Sequence, residues 1–322
     1  MSTGILIVGF GHRGRAWRNE VAGHRGCHVA GVADPDGGAR AAAEADGIAT
    51  WERPEDALVS TTARVAIVAT PPGLHAAHAV ACLGAGLGVL VEKPLALSLE
   101  DAAAVADAAE AADRPAVVGH NFRHRPLERT LRAALDGGGI GELRTASIVT
   151  ARPATAAAYD LLDHGPLWDL GVHHIDLLRL RMGGPPSVVE ARATPSADGL
   201  TYTVHMEWEG GATADYWLRE GASVYHHAEW LEGPRGALRA IDGRVWLVTP
   251  SRRPRRLRAA RGPSPERVLL DAVLGDDAPG MGAREALGTI ATVEATARSI
   301  ALERPVRVAE LLGAVPAAGA GE

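Results

Sequence analysis

Two sets of residues in this chain could do chemistry. The first is Gly9-Phe10-Gly11-His12-Arg13-Gly14, with Asp34 twenty residues after Gly14. The apolar run Ile5–Val8 precedes the glycines, and Val29–Ala33 precedes the acid. That pattern describes a strand turning into a helix, then a second strand ending on a carboxylate. Each part has a separate task in dinucleotide binding. Gly9 permits a tight turn, Gly11 lets the backbone approach a pyrophosphate, and Gly14 lets helix and strand pack closely. The helix N-terminus offers N–H groups and a positive dipole end to the phosphates. Asp34 can accept hydrogen bonds from the adenosine ribose hydroxyls and repels a 2′-phosphate, so the cofactor expected is NAD. Arg13 and Arg40 keep NADP open as the alternative.

The second set centres on Trp168-Asp169-Leu170-Gly171-Val172-His173-His174-Ile175-Asp176. Asp169 and His173 are i and i+4, so they project from one helical face, with Asp176 near the same side. A histidine suits removal of a hydroxyl proton near neutral pH. Lys93, in Glu92-Lys93-Pro94, can hydrogen-bond a reacting oxygen and stabilise negative charge on it. The aspartate can bind a substrate hydroxyl or orient the imidazole. Lys93, Asp169 and His173 are therefore the catalytic candidates. His173 and His174 point about 100° apart on a helix, which makes them poor co-ligands, so no metal is expected.

These residues need a frame. Candidate strands Ile5–Val8, Val29–Ala33, Val65–Ala69, Gly88–Val91 and Ala116–Val118 alternate with helical stretches Gly14–Ala22, Ala39–Ala45, His75–Ala85 and Leu99–Ala112, the last capped by Ser98. Such alternation implies a doubly wound parallel sheet. Ligands of open α/β sheets bind outside the C-terminal strand ends, so the loops after the strands border the cofactor. The cofactor-binding candidates are Gly9, Phe10, Gly11, His12, Arg13, Gly14, Asp34, Thr70, Pro71, His75, Glu92 and Lys93.

After residue 119 the texture changes. Helices are expected over Arg129–Leu135, Leu167–Met182 and, last, Arg284–Glu303. Strands are expected over Leu143–Thr150, Ser187–Ala193, Thr201–Trp208, Thr213–Leu218, His226–Leu231, Ala237–Ile241 and Val245–Val248, with Asp242-Gly243 as a hairpin turn. Short connections imply a mostly antiparallel sheet with one face on helices. The domains expected are 1–118, 119–316 and a disordered tail, 317–322. The run from Arg252 to Arg261 reads as a solvated loop or a protected edge, with binding of an acidic partner as the alternative.

Size and composition bound the rest. The 322 residues fit two domains, and 47% apolar content is enough for real cores. A formal net charge of -6 gives no reason to expect nucleic acid. No apolar stretch is long enough to span a bilayer and no signal pattern opens the chain. Cys27 and Cys82 are the only cysteines, which fits a cytoplasmic protein with both as small core residues.

In order and spacing, G-x-G-x-x-G, T-P-x-x-x-H, E-K-P, the patch Gly119-His120-Asn121-Phe122-Arg123-His124-Arg125-Pro126, and D-x-G-x-H-x-x-D resemble the glucose-fructose oxidoreductase, inositol dehydrogenase and MocA family. The resemblance covers nearly the whole chain. It implies an α/β fold: an N-terminal Rossmann doubly wound parallel sheet and a C-terminal α+β domain with a large open, mostly antiparallel sheet. It also implies NAD(P)-dependent hydride transfer on a sugar or cyclitol, with Lys93 matching the family's catalytic lysine and Asp169 and His173 its aspartate and histidine. The Lys93–Pro94 bond would be cis. Asn121 and Phe122 fall where family members line substrate or nicotinamide. Tyr159, Asp160, His164 and Trp168 mix hydrogen-bonding groups with flat apolar faces, as sugar binding needs. With Asp169 and His173 these form the candidate substrate set, although Trp168 reads equally as core and His164 as a helix cap. The chain departs from the pattern at Gly86-Leu87-Gly88, where Gly-Lys-His is common, and at Arg123-His124, where Arg-Phe is common. The leading expectation is a dehydrogenase. Redox-neutral glycoside cleavage through transient oxidation and a non-catalytic cofactor sensor are the alternatives. A homodimer or homotetramer through the second sheet is expected.

Overall fold

The computed structural model describes residues 2–153, 159, 162–196, 199–275 and 280–314. Asp160 and the tail Ala317–Glu322 lie outside the described residues. The chain forms two compact units. One holds Met1–Asn121 and Ser264–Ile290, and the other holds Phe122–Pro263 and Ala291–Ala314. This differs from one cut after residue 118. The chain leaves the first unit and returns to it, and no local sequence signal marks the return.

The first unit is built on β1 (Thr3–Val8), β2 (Cys27–Ala33), β3 (Thr50–Trp51), β4 (Val65–Val68), β5 (Gly88–Val91) and β6 (Ala116–Val118). They lie in the order β6-β5-β4-β1-β2-β3, and all are parallel. Met281–Gly282 adds an antiparallel pair beside β6. Strands buried on both faces read as continuous apolar runs. Ile5–Val8, Val65–Val68 and Gly88–Val91 are buried at every position. The connecting helices are α1 (His12–Ala22), α2 (Gly37–Glu44), α3 (Pro54–Ser60), α4 (His75–Gly84) and α5 (Leu99–Ala112). Ser98 accepts the Asp101 N–H at 3.0 Å and starts α5 as a side-chain cap should. Leu269, Leu270 and Val273 pack into the same core as Ile5, Trp17 and Val117. That is the physical reason residues 264–290 join this unit.

The second unit carries α6 (Pro126–Asp136) and the strands β7 (Thr145–Ala151), β8 (Val188–Ser196), β9 (Gly199–Glu207), β10 (Thr213–Arg219), β11 (His226–Gly233), β12 (Gly236–Ile241), β13 (Arg244–Thr249) and β14 (Arg252–Arg256). The sheet order is β14-β13-β12-β11-β7-β10-β9-β8, with Val306–Arg307 added at the β8 edge. Every pair is antiparallel except β7 with β10. Asp242 and Gly243 both have positive φ, 45° and 80°, and close the two-residue β12–β13 hairpin. The arginine run forms edge strand β14, exposed throughout.

Two helix expectations need correction. Leu167–Met182 is not one α-helix: Leu167–Gly171 forms a wider π-helical turn, followed by α7 (Val172–Arg181). Hydrophobic spacing does not distinguish these, and π turns gather at functional sites. After α8 (Pro265–Leu274) comes α9 (Ala283–Leu302), and the expected final helix is not last, because α10 (Val308–Leu312) follows.

Candidate active site

The nucleotide loop is legible atom by atom. Gly9 has φ +88°, and a Cβ there would lie 2.8 Å from the Ala69 carbonyl and the Thr70 nitrogen. A Cβ on Gly14 would meet the Gly9 carbonyl oxygen at 2.0 Å, so α1 and β1 can approach only without one. A Cβ on Gly11 would meet nothing within 4 Å. The outer two glycines are therefore fixed by the fold, while the middle one faces open space at an α1 N-terminus that no side chain caps. A helix N-terminus of this kind can hold a phosphate group. Asp34 ends β2 with its carboxylate anchored. The Phe10 N–H donates to Oδ2 at 2.5 Å and the Asp36 N–H to Oδ1 at 2.8 Å. These residues fit NAD, with the Gly9–Gly14 loop for its pyrophosphate and Asp34 for its ribose. The Phe10 ring is buried in the core, which leaves only its backbone at the loop, while His12 is exposed.

Both arginines that keep a 2′-phosphate open have partners within the protein. Arg13 donates through Nε to buried Glu92 Oε1 at 2.9 Å, and Trp17 donates to the same oxygen at 2.7 Å. Arg40 donates to the Asp34 and Pro35 carbonyls at 2.8 and 2.9 Å. Glu92 is thus a brace between α1 and the β5 end, next to half-buried Lys93. The Lys93–Pro94 bond is cis. Buried His75 has Nδ1 2.7 Å from the Pro94 carbonyl and Nε2 2.8 Å from that of Thr70. Burial lowers the His75 pKa, so the neutral ring has one N–H to donate, to one carbonyl or the other, and it lies between the two loops. Asn121 donates to Glu266 Oε1 at 3.0 Å. Glu266 lies in the returning segment and escaped sequence reasoning.

The second unit holds the remaining candidates. The His173 ring stacks on Phe122, centroids 4.0 Å apart and planes within 7°. The Arg125 guanidinium carbon sits 3.3 Å from the Phe122 centroid. These short distances leave room for the two groups only on opposite faces of the ring. His173 is therefore held face-on in a buried slab, its orientation set by packing. Asp169, the i−4 residue, receives Arg152 Nη1 at 2.6 Å, and Arg152 also holds Glu220 at 2.6 Å. Neither Arg152 nor Glu220 stands out in the sequence. Asp176 is engaged differently: Arg123 grips both its oxygens at 2.7 Å. His124 is buried, and burial lowers its pKa to about 4, with Arg123 adding to the effect. The Arg123-His124 departure therefore serves local packing.

His174 turns into the interior, with Nδ1 3.1 Å from the Tyr216 hydroxyl and its ring stacked on His227. Burial, with His227 beside it, holds its pKa well below the usual histidine value. Of the remaining candidates, Trp168 is buried, and His164, at φ 56°, packs edge-on to Tyr202. The Tyr159 carbonyl lies against Gly165, where a Cβ would come within 2.0 Å. No group of three metal-ligating side chains occurs among the described residues.

A parallel sheet in the order β6-β5-β4-β1-β2-β3, a glycine turn into an uncapped helix N-terminus and a carboxylate fixed just after β2 have the pattern of a dinucleotide-binding fold. Residues 3–120 match the family model described as "Oxidoreductase family, NAD-binding Rossmann fold", and residues 129–242 match the GFO/IDH/MocA C-terminal domain. The chain belongs to the GFO/IDH/MocA family and is an NAD-binding oxidoreductase. It is 31% identical to inositol 2-dehydrogenase 2 of Saccharopolyspora erythraea over 78% of this chain and 75% of that one. Among solved structures, an Agrobacterium radiobacter oxidoreductase in complex with NAD+, L-tartaric acid and magnesium superposes with TM-score 0.81 at 20% identity, covering 97% of this chain and 100% of that one. Scyllo-inositol dehydrogenase from Lactobacillus casei gives 0.80 at 20% identity over 96% and 98%.

Proposed function

We propose that the protein is an NAD-dependent dehydrogenase acting on a CH–OH group of a sugar or cyclitol. Bound NAD would supply the hydride acceptor. His173 takes the proton from the substrate hydroxyl and returns it in the reverse direction. Lys93 donates a hydrogen bond to the reacting oxygen and stabilises its developing charge. Asp169 accepts a second hydroxyl. The observation that carries this reading is the buried His173 ring, fixed against Phe122 with the Asp169 carboxylate one turn earlier on the chain. The inositol dehydrogenases among the relatives support the substrate class.

The test is reduced-nicotinamide absorbance with NAD or NADP and a panel of cyclitols, aldoses and glycosides, beside Lys93→Ala and His173→Ala. A signal with one polyol that disappears in both variants supports the assignment. Near-normal turnover in either variant removes that residue's role. Sugar release from a glycoside without net NADH points instead to redox-neutral chemistry, and cofactor binding without turnover points to a sensor.

We also infer a homo-oligomer through the nine-stranded sheet. In one cross-strand row Trp230 and Trp246 flank Arg239, all three outside the core. A monomer by light scattering would contradict this. A cytoplasmic location fits two buried free thiols, with Cys82 pushed up to about 12 by burial and so inert. No helix among the described residues is long and apolar enough to cross a membrane.

A further inference from the structure

We propose that Arg152 is a positioning residue of this enzyme, setting the Asp169 carboxylate for substrate while Glu220 fixes Arg152 itself. The proposal rests on the reading of Asp169 as a substrate-binding residue.

Among the described residues, β7 with β10 is the one parallel pairing in the second sheet. β7 and β10 run side by side in register from Thr213↔Thr145 to Arg219↔Ala151. The residues that follow, Arg152 and Glu220, therefore leave the same end of two adjacent parallel strands. An antiparallel pair would have sent them to opposite ends. The backbone there is tied down on both sides: the Arg152 N–H donates to the Arg219 carbonyl at 3.0 Å, and the Ala222 N–H to the Arg152 carbonyl at 2.9 Å. With the backbone fixed, so is the Cα–Cβ direction from which the side chain starts. Its Nε and Nη2 go to Glu220 Oε1 at 2.8 and 2.6 Å, and its Nη1 goes to Asp169 Oδ2 at 2.6 Å.

All three side chains are largely withdrawn from water, at 13%, 20% and 17% exposure for Arg152, Asp169 and Glu220. Charge-assisted hydrogen bonds in that setting are short, directional and strong. A planar guanidinium can bridge two carboxylates in one geometry, which a lysine ammonium at the end of a flexible stem cannot. Asp169 sits in the π-helical turn Leu167–Gly171. Arg152 constrains the direction of its carboxylate from outside that turn. The carboxylate is thereby presented as a fixed acceptor one helical turn before His173.

The experiment uses the whole protein with NAD and the most active polyol of the panel, with myo-inositol as the starting probe. Arg152→Gln, Arg152→Lys, Asp169→Asn and the double variant Arg152→Gln/Asp169→Asn are compared by steady-state kinetics, and NAD affinity is measured separately. Misplacing a binding group by about 1 Å can cost about 100-fold. A kcat/KM loss of that order is expected for Arg152→Gln, and a smaller one for Arg152→Lys, with NAD affinity unchanged. The double variant should lose no more than Asp169→Asn alone, because groups acting as one unit are not additive. A general structural role would instead multiply the two losses. Wild-type kcat/KM in Arg152→Gln, or multiplicative losses, overturns the proposal. A fully active Asp169→Asn overturns the underlying reading of the site, whatever Arg152 does. Should Arg152→Gln fail to fold, Glu220→Gln loosens the same arginine and keeps the acceptor; the same non-additivity with Asp169→Asn is then expected, and multiplicative losses overturn the proposal.

Discussion

The two units hold their functional groups by opposite means. In the first, the working parts are largely backbone: a loop whose glycines permit close approach, an uncapped helix N-terminus and one carboxylate fixed by two N–H groups. In the second, side chains from distant segments hold one another. His173 and Arg125 flank the Phe122 ring, Arg152 and Glu220 hold Asp169, and a buried chain runs from Glu128 through Arg181 and Glu229 to His227. A backbone site depends on a few positions close in sequence. A side-chain site depends on the whole fold around it, and its buried charges are costly when one partner is lost.

The sharpest separation of the two regions comes from His173→Ala. Loss of an acid–base group typically lowers turnover by about 10²–10⁴-fold, and NAD affinity should be untouched. A parallel fall in NAD affinity, read by nucleotide fluorescence titration, would break the division of labour.

Arg181→Met comes next and should act on stability. It strands Glu128 and Glu229, both buried, without their cation. Breaking a buried pair in this way costs about 3–5 kcal/mol, to be read by urea denaturation. The same network sets an acid limit. Burial pushes the Glu229 carboxyl up, but Arg181 and His227 outweigh it and hold the pKa at about 2 against an ordinary 4.5. Its folded value is depressed, so its contribution to stability is complete above pH 4.5 and is lost as pH falls toward 2. Arg181→Met should shrink this component of acid destabilisation; an unchanged acid transition would show that the network does not carry it.

The glycines sharpen the comparison from the other side. Gly14→Ala forces a Cβ onto the Gly9 carbonyl and should cost about 1–3 kcal/mol, as overpacking does. Gly11→Ala meets no protein atom, so Tm should hold while NAD affinity falls. If Gly11→Ala binds NAD normally, the phosphate site is elsewhere. The smallest effect is Ser98→Ala. Removing that cap should cost about 1 kcal/mol of stability, with catalysis unchanged in the reduced-nicotinamide assay.

Legibility in the sequence followed the same divide. Five strands, four of the connecting helices and the Ser98 cap could be read from local pattern, because parallel strands and their connections are local in sequence; the short β3 and α3 could not. Asp169 and His173 were visible through i,i+4 spacing. What held them was not: Arg152 and Glu220 meet through a pairing between strands nearly seventy residues apart. The π turn at Leu167–Gly171 hides because hydrophobic spacing tolerates an extra residue. His75 shows the limit from inside a motif: its position was legible, but its place between the Thr70 and Pro94 carbonyls was not.

The amino-acid sequence by itself determined the nucleotide half of this protein. Strand, glycine turn, helix and acid follow one another within thirty residues, and each obeys short-range sterics and hydrogen bonding. Tertiary structure alone decided three things. Residues 264–290 return to the first unit because Leu269, Leu270 and Val273 find their apolar partners there. Arg13 and Arg40 are engaged within the protein by groups at fixed positions in the fold. Asp169 is held by an arginine that only the β7–β10 register brings to it, since a side-chain contact between distant segments exists only once the sheet has formed.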